Sequence, residues 1–123
     1  MEPRRVDKPW GHEVIWADTP AYVGKILVIE AGKRLSLQYH EVKDETILVI
    51  SGRLRLHLAD EGGEAGEVAV TVLGPGESRH VPPRAVHRYE AIERTELAEV
   101  STPELDDVVR VEDDFGREGT SEA

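Results

Sequence analysis

Apolar and polar positions along the chain follow the pattern of short strands. Tyr22 to Glu30 (YVGKILVIE) is a β-branched, apolar run that stops at Ala31-Gly32. Arg34 to Tyr39 follows, then a polar corner, then Thr46 to Ile50, which stops at Ser51-Gly52. From Arg53 to Leu58 the alternation is clean, with Leu54, Leu56 and Leu58 on one face and Arg53, Arg55 and His57 on the other. That period of two marks a half-buried strand. Val68–Leu73, Arg79–Val81, His87–Ile92 and Glu96–Ser101 complete the set, punctuated by Gly74-Pro75-Gly76 and Pro82-Pro83. Glu61 to Gly66 reads as a flexible hairpin tip. No window offers helical periodicity free of such breakers. About nine strands at this spacing predict an all-β sandwich, barrel or jelly roll.

At 123 residues the chain has room for one core, not two. The expected domain covers residues 1–117, with Leu105, Val108, Val109, Val111 and Phe115 packing a short closing segment, and 118–123 form a frayed polar tail. The 25 acidic residues outnumber the 15 Lys and Arg, for a formal net charge of −10. Such a surface repels phosphate backbones and anionic lipid, which argues against nucleic acid and membrane as partners. A small anion stays possible, because a few arginines in a pocket can reverse the field locally. The chain has no cysteine, so disulfides, thiolate metal sites and thiol nucleophiles are excluded. The charged start, Met1 to Trp10, and the lack of a membrane-length apolar run predict a cytoplasmic protein.

Gln38 and His40 are two apart on an expected strand and so share a face. Glu45 opens the next strand after a four-residue gap, near enough to fold back beside them, and His87 begins a later strand just after Pro82-Pro83. Two imidazoles, a carboxylate and a carbonyl oxygen suit a divalent cation, with positions left open to water or substrate.

Glycines frame this set. Gly32, His40, Glu45 and Gly52 match the first cupin motif, Gly-x5-His-x-His-x4-Glu-x6-Gly, with Gln38 in place of its first His. Gly76, Pro82 and His87 match the second, Gly-x5-Pro-x-Gly-x2-His-x3-Asn, with Arg84 for its glycine and Ala91 for its Asn. The chain therefore resembles the cupins, whose fold is a double-stranded β-helix. The glutamine, within Leu35 to His40 (LSLQYH), narrows the resemblance to the phosphomannose isomerases, whose zinc is held by a Gln, two His and a Glu. It is most similar to the C-terminal isomerase domain of the type II, bifunctional enzymes. That domain opens with Pro-Trp-Gly, seen here at Pro9-Trp10-Gly11, and closes with an acidic segment like Asp106 to Arg117. The likeness runs from about Lys8 to Arg117, with no nucleotidyltransferase half. Around the metal loop such domains read His-His-His-Arg-x-Glu-His-Trp, whereas this chain has His40-Glu41-Val42-Lys43-Asp44-Glu45-Thr46-Ile47.

The resemblance implies a metal-dependent aldose–ketose isomerase taking mannose 6-phosphate to fructose 6-phosphate, acting as a homodimer. Gln38, His40, Glu45 and His87 would hold one divalent ion, zinc first, with manganese, iron or nickel accepted by the same donors. Lys43, Arg84 and Arg88 are candidate cations for the phosphate, with Arg34, Arg79 and Arg110 as further ones, although alternation points Arg88 away from the metal face. His80 is the candidate base, with Glu13 equally base or surface and His57 opposite the leucine row. Trp10 and Trp16 read as core or lid aromatics. Two other functions fit the same residues. One is a non-catalytic metal- and sugar-binding cupin, a sensor or accessory protein. The other is an iron-dependent cupin dioxygenase, against which stands Gln38, where many such oxygenases have a third His.

Overall fold

The computed structural model describes residues 2–59, 68–116 and 120–121. The expected hairpin tip at Glu61–Gly66 lies outside the described residues, as does most of the 118–123 tail. Among the described residues the regular structure is all strand. One sheet takes, in spatial order, β1 (Arg4–Lys8), β2 (Gly11–Asp18), β3 (Val23–Ile29), β10 (Thr95–Ser101), β5 (Glu45–Ser51) and β8 (Ser78–Val81). The other takes β12 (Thr120–Ser121), β11 (Val108–Glu112), β4 (Leu37–Tyr39), β9 (His87–Ala91), β6 (Leu54–Ala59) and β7 (Val68–Leu73). Every pairing is antiparallel, and each sheet turns one face inward, as in a jelly roll.

Register decides which side chains share the interior. In the first sheet Glu13, Leu27, Leu97 and Val49 form one inward row, and Ile15, Lys25, Glu99, Ile47 and Arg79 the next. Val23, Ser101, Glu45 and Val81 form the third. In the second sheet the matching rows are Ala91, Leu54, Leu73; then Tyr89, Leu56, Thr71; then Gln38, His87, Leu58, Ala69. The interior is graded as a result. Trp10, Leu27, Ile29, Val49, Leu54, Leu73 and Leu97 fill one end with apolar side chains, and polar groups gather where the third rows meet. Leu54 and Leu56 are fully buried and Leu58 packs against the cluster, as their alternation requires.

The hairpin of β1 and β2 is not visible in the apolar pattern, because Arg4–Lys8 is polar and sits on a sheet edge. Its turn carries Trp10 into the core, where the Trp10 carbonyl accepts the Glu30 N–H at 3.0 Å. Trp16 takes the opposite course. Ile15 pairs with Lys25 and Ala17 with Gly24, so Trp16 is the unmatched residue of a bulge, its ring lying over Gly24 on the outer face.

Two backbone positions carry the motif glycines' physical reason. Gly52 has φ 89°, and a β-carbon there would run into the Arg94 carbonyl oxygen and Thr95. Arg84, standing where the second motif has glycine, is itself left-handed at φ 68°, a conformation that costs a non-glycine residue about 1–2 kcal/mol. Gly52→Ala is expected to lower the thermal midpoint by more than the roughly 2–8 °C that 1 kcal/mol represents in small domains. Arg84→Gly should raise the midpoint by a few degrees, less glycine's extra chain entropy in the unfolded state. A midpoint lowered by the full glycine entropy cost of about 0.5–1 kcal/mol in Arg84→Gly would show that the loop holds no strain.

Candidate metal centre

The polar end of the interior is built from both sheets. Ser36, Gln38 and His40 alternate inward along β4 and its flanks, Glu45 opens β5, and His87 opens β9 directly opposite Gln38. Side-chain donor atoms of His40, Glu45 and His87 all lie within 4.8 Å of one another, and the residues are 1–2% exposed. His40 Nε2 is 2.8 Å and His87 Nε2 3.5 Å from the same Glu45 oxygen, Oε1. None of these three buried atoms has a hydrogen-bond partner.

The other nitrogen of each ring explains why. His40 Nδ1 is 2.6 Å from the Asp107 carbonyl oxygen and His87 Nδ1 is 2.9 Å from that of Ala85. A carbonyl only accepts, so each Nδ1 carries the proton and donates, leaving a bare lone pair on Nε2. Two imidazole lone pairs and a carboxylate oxygen thus converge on one point away from water, an arrangement that costs free energy until a cation fills it. Nitrogen and oxygen donors with each imidazole anchored through its second nitrogen fit a divalent metal. The residues that would hold it are His40, Glu45 and His87. Gln38 is 6% exposed beside His87, and its Oε1 accepts the Ser36 hydroxyl at 2.6 Å, with a second lone pair to spare.

The carboxylate is held by its surroundings. Tyr89 donates its hydroxyl to Glu45 Oε2 at 3.1 Å. Burial pushes Glu45 up, but the carboxyl is held well below the usual carboxylate range, with the charge of Lys43 the largest influence lowering it. Burial, then the Glu45 charge, pushes the Tyr89 phenol well above its ordinary value, so it stays a donor. Lys43 Nζ is 3.1 Å from Glu99 Oε2. Burial would lower that ammonium, but Glu99 and Glu45 more than compensate and raise it. Lys25 pairs with Glu13 at 3.4 Å, and Lys8 reaches Glu13 at 3.9 Å from the rim.

Several expected site residues lie elsewhere. Lys43 is 1% exposed and paired with Glu99, an internal counter-ion in place of an open phosphate ligand. His80 sits opposite Thr46 on the outer face of the first sheet, its Nε2 2.6 Å from Asp44 Oδ1. That placement turns it away from the His–Glu–His cluster. Arg88 faces out of the second sheet, as alternation requires, donating to the carbonyls of Leu35 and Glu112 beneath the closing segment. Arg84 is a largely exposed loop residue, 3.8 Å from Glu41. Glu13 is a buried ion-pair partner.

Asp107 escaped the sequence reading. Besides its carbonyl on His40, its carboxylate accepts the N–H groups of Glu41, Val42 and Lys43 at 2.7–3.1 Å. Burial is the largest single influence on Asp107 and raises it, but the three amides together outweigh it and lower it. The one sequence signal was its place in an acidic segment far from the metal loop.

A two-sheet barrel closing over two histidines and a glutamate whose free donors converge is the construction of a cupin. Solved structures agree on the fold. KdgF from a Halomonas species is 21% identical, matching 84% of this chain and 88% of its own with a TM-score of 0.67. A mutant oxalate decarboxylase of Bacillus subtilis is 16% identical over 89% of this chain and 30% of its own, with a TM-score of 0.77. Within the cupins, the chain belongs to the mannose-6-phosphate isomerase C-terminal family, whose model matches residues 2–113. It is 32% identical over 119 residues to mannose-1-phosphate guanylyltransferase ManC of Salmonella typhimurium, covering 93% of this chain but 23% of that protein. The chain thus spans about a quarter of the length of such curated relatives. No helix among the described residues is long and apolar enough to cross a membrane.

Asp107→Ala keeps the backbone carbonyl on His40 but removes the carboxylate that ties down Glu41 to Lys43, so it is expected to weaken zinc binding by about tenfold, the low end for losing an outer support of a metal ligand. Competition against a fluorescent chelator reads this out. Because folding lowers the carboxyl, Asp107 contributes stability above the ordinary carboxylate range, and that contribution is lost as pH falls through its folded value. Acid unfolding of Asp107→Ala should therefore depend less on pH than that of the unaltered protein.

Proposed function

We propose that this protein is a metal-dependent sugar-phosphate isomerase that interconverts mannose 6-phosphate and fructose 6-phosphate, with one divalent ion, zinc first, as its cofactor. The observation that carries this reading is the convergence of three unpartnered donors from His40, Glu45 and His87 inside the barrel. Family membership supports the choice of substrate class. A divalent cation held there would act as a Lewis acid toward a carbonyl oxygen. The protein's own groups hold the ligands: Asp107 and Ala85 orient the imidazoles, Tyr89 and Lys43 keep Glu45 an anion, and Gln38 stands ready as a further oxygen donor. Burial of the three donors limits the bulk water that reaches the centre. Pairing of two copies through the outer face of the first sheet belongs to the same reading, supported by the exposed Leu48, Ile50 and Val100.

A second reading, a metal- and sugar-binding cupin without turnover, is favoured by one set of observations. Lys43 and Arg88 are committed to internal partners, and His80 faces outward. An iron-dependent dioxygenase would use the same two imidazoles and carboxylate, and elemental mass spectrometry of the protein purified without an affinity tag separates it by metal identity.

The decisive assay is conversion of mannose 6-phosphate by the zinc-loaded protein and by His40→Ala. Turnover that falls at least about a hundredfold in the variant is expected, since single electrostatic groups at reacting centres are worth that much. Stoichiometric metal with no turnover on this or other hexose phosphates would replace the isomerase with the binder.

A further inference from the structure

With its three donors 1–2% exposed, the cluster needs a route to solvent if a small molecule is to reach it. Two surface depressions suit a phosphate less well. A cavity of ≈ 340 Å³ reaches the barrel at Glu45 and Ser101 as well as the outward-facing Thr46 and Val100, but its lining holds the carboxylates of Asp44 and Glu45 and no cation. Another of ≈ 360 Å³ is lined by Tyr39, Glu41, Arg84 and Val86, the outward alternates of Gln38, His40 and His87. A third cavity, of ≈ 290 Å³, is different. It lies between the edge strands β7 and β8, one from each sheet, and is lined by Leu58, Ala69, Thr71, Arg79, His80 and Pro82, with Ala59. Leu58, Ala69 and Thr71 belong to inward rows of the second sheet, and Arg79 to an inward row of the first. The slot therefore opens onto the interior from the side. Leu58 is the direct cross-strand neighbour of His87, and Val81, two residues after Arg79 on the same face, is that of Glu45. One side chain on each sheet separates the slot from the cluster.

Arg79 gives this slot a sign. In an acidic protein Arg34, Arg55, Arg88 and Arg94 all lie within 4 Å of carboxylates. Arg79 is half-buried and has no carboxylate partner among the described residues. A half-buried guanidinium with no carboxylate partner among the described residues favours an anion, and its planar fork of donors suits a phosphate. The slot's volume is near the lower end of small-molecule sites.

We propose that the slot between β7 and β8 admits a phosphate monoester to the metal centre and that Arg79 binds its phosphate. This rests on the sugar-phosphate reading above and identifies a residue that selects phosphorylated over neutral substrates. The competing physical role for Arg79 is protection of an edge strand, since inward-pointing charges discourage edge-to-edge association.

The test is calorimetric binding of mannose 6-phosphate, mannose and inorganic phosphate to zinc-loaded protein, comparing the unaltered chain with Arg79→Met and Ala69→Trp. Metal content is measured in each sample. Arg79→Met should weaken mannose 6-phosphate binding at least tenfold and leave mannose binding and bound zinc unchanged. Ala69→Trp, which fills the slot and keeps the arginine, should weaken both sugars. Mannose 6-phosphate binding that is equal in all three proteins overturns the slot and leaves the isomerase reading standing. Arg79-dependent binding of inorganic phosphate with no affinity for the sugar phosphate keeps the anion site and overturns the monoester. Soluble, metal-loaded unaltered protein that binds none of the three overturns both. If Arg79→Met only aggregates, an Ala69→Trp protein that binds as tightly as the unaltered chain overturns the slot by itself.

Discussion

Everything at the polar end of this barrel depends on two backbone carbonyls. The Asp107 and Ala85 oxygens each take the Nδ1 proton of one histidine, which leaves His40 and His87 with their Nε2 lone pairs directed at a single glutamate oxygen. Without those carbonyls either ring could turn its N–H toward Glu45 and satisfy it, and the site would be an ordinary buried hydrogen bond. With them, neutral rings leave three acceptors facing one another, which a metal cation, or a second proton on an imidazole, would satisfy. The Ala85 carbonyl comes from the loop that the left-handed Arg84 shapes, and the Asp107 carbonyl from the closing segment. The donors are therefore set by parts of the chain outside the strands that carry them.

Such a centre imposes an energetic condition on the rest of the interior. Glu13, Glu45 and Glu99 are buried with Lys25 and Lys43, and isolated charges in such a place would cost several kcal/mol each. They are tolerated because they form a chain of pairs across adjacent strands: Lys25 and Glu99 share a register position, Lys43 reaches Glu99, and Lys25 reaches Glu13. The opposite end of the barrel is filled by Trp10 and the aliphatic cluster and supplies hydrophobic stabilisation that such pairs do not. The fold thus separates what stabilises it from what equips its site.

Much of this was legible in the residues. The alternation of Leu54, Leu56 and Leu58 gave the inward face of β6, because period-two geometry is a local property, and the spacing of Gly32, His40, Glu45, Gly52 and His87 carried the resemblance that implied the fold and the three clustered side chains. Alternation also turned Arg88 outward correctly. What was not legible depended on contacts distant in sequence. Asp107 sits 64–67 positions from the atoms it holds, and Lys43 met its partner on β10. His80 was placed near the site because it precedes Pro82, yet one residue's step along β8 sends it to the other face. Composition could not foresee the β1–β2 hairpin, since an edge strand needs little apolar surface.

The most direct test of the converging lone pairs is ¹⁵N NMR of the imidazoles while zinc is added to metal-free protein. His40 and His87 should begin as Nδ1–H tautomers, and one equivalent of zinc should shift their Nε2 resonances together while His12, His57 and His80 stay where they are. Nε2-protonated rings at His40 and His87 before zinc, or a first equivalent that shifts only the other three histidines, would contradict the account.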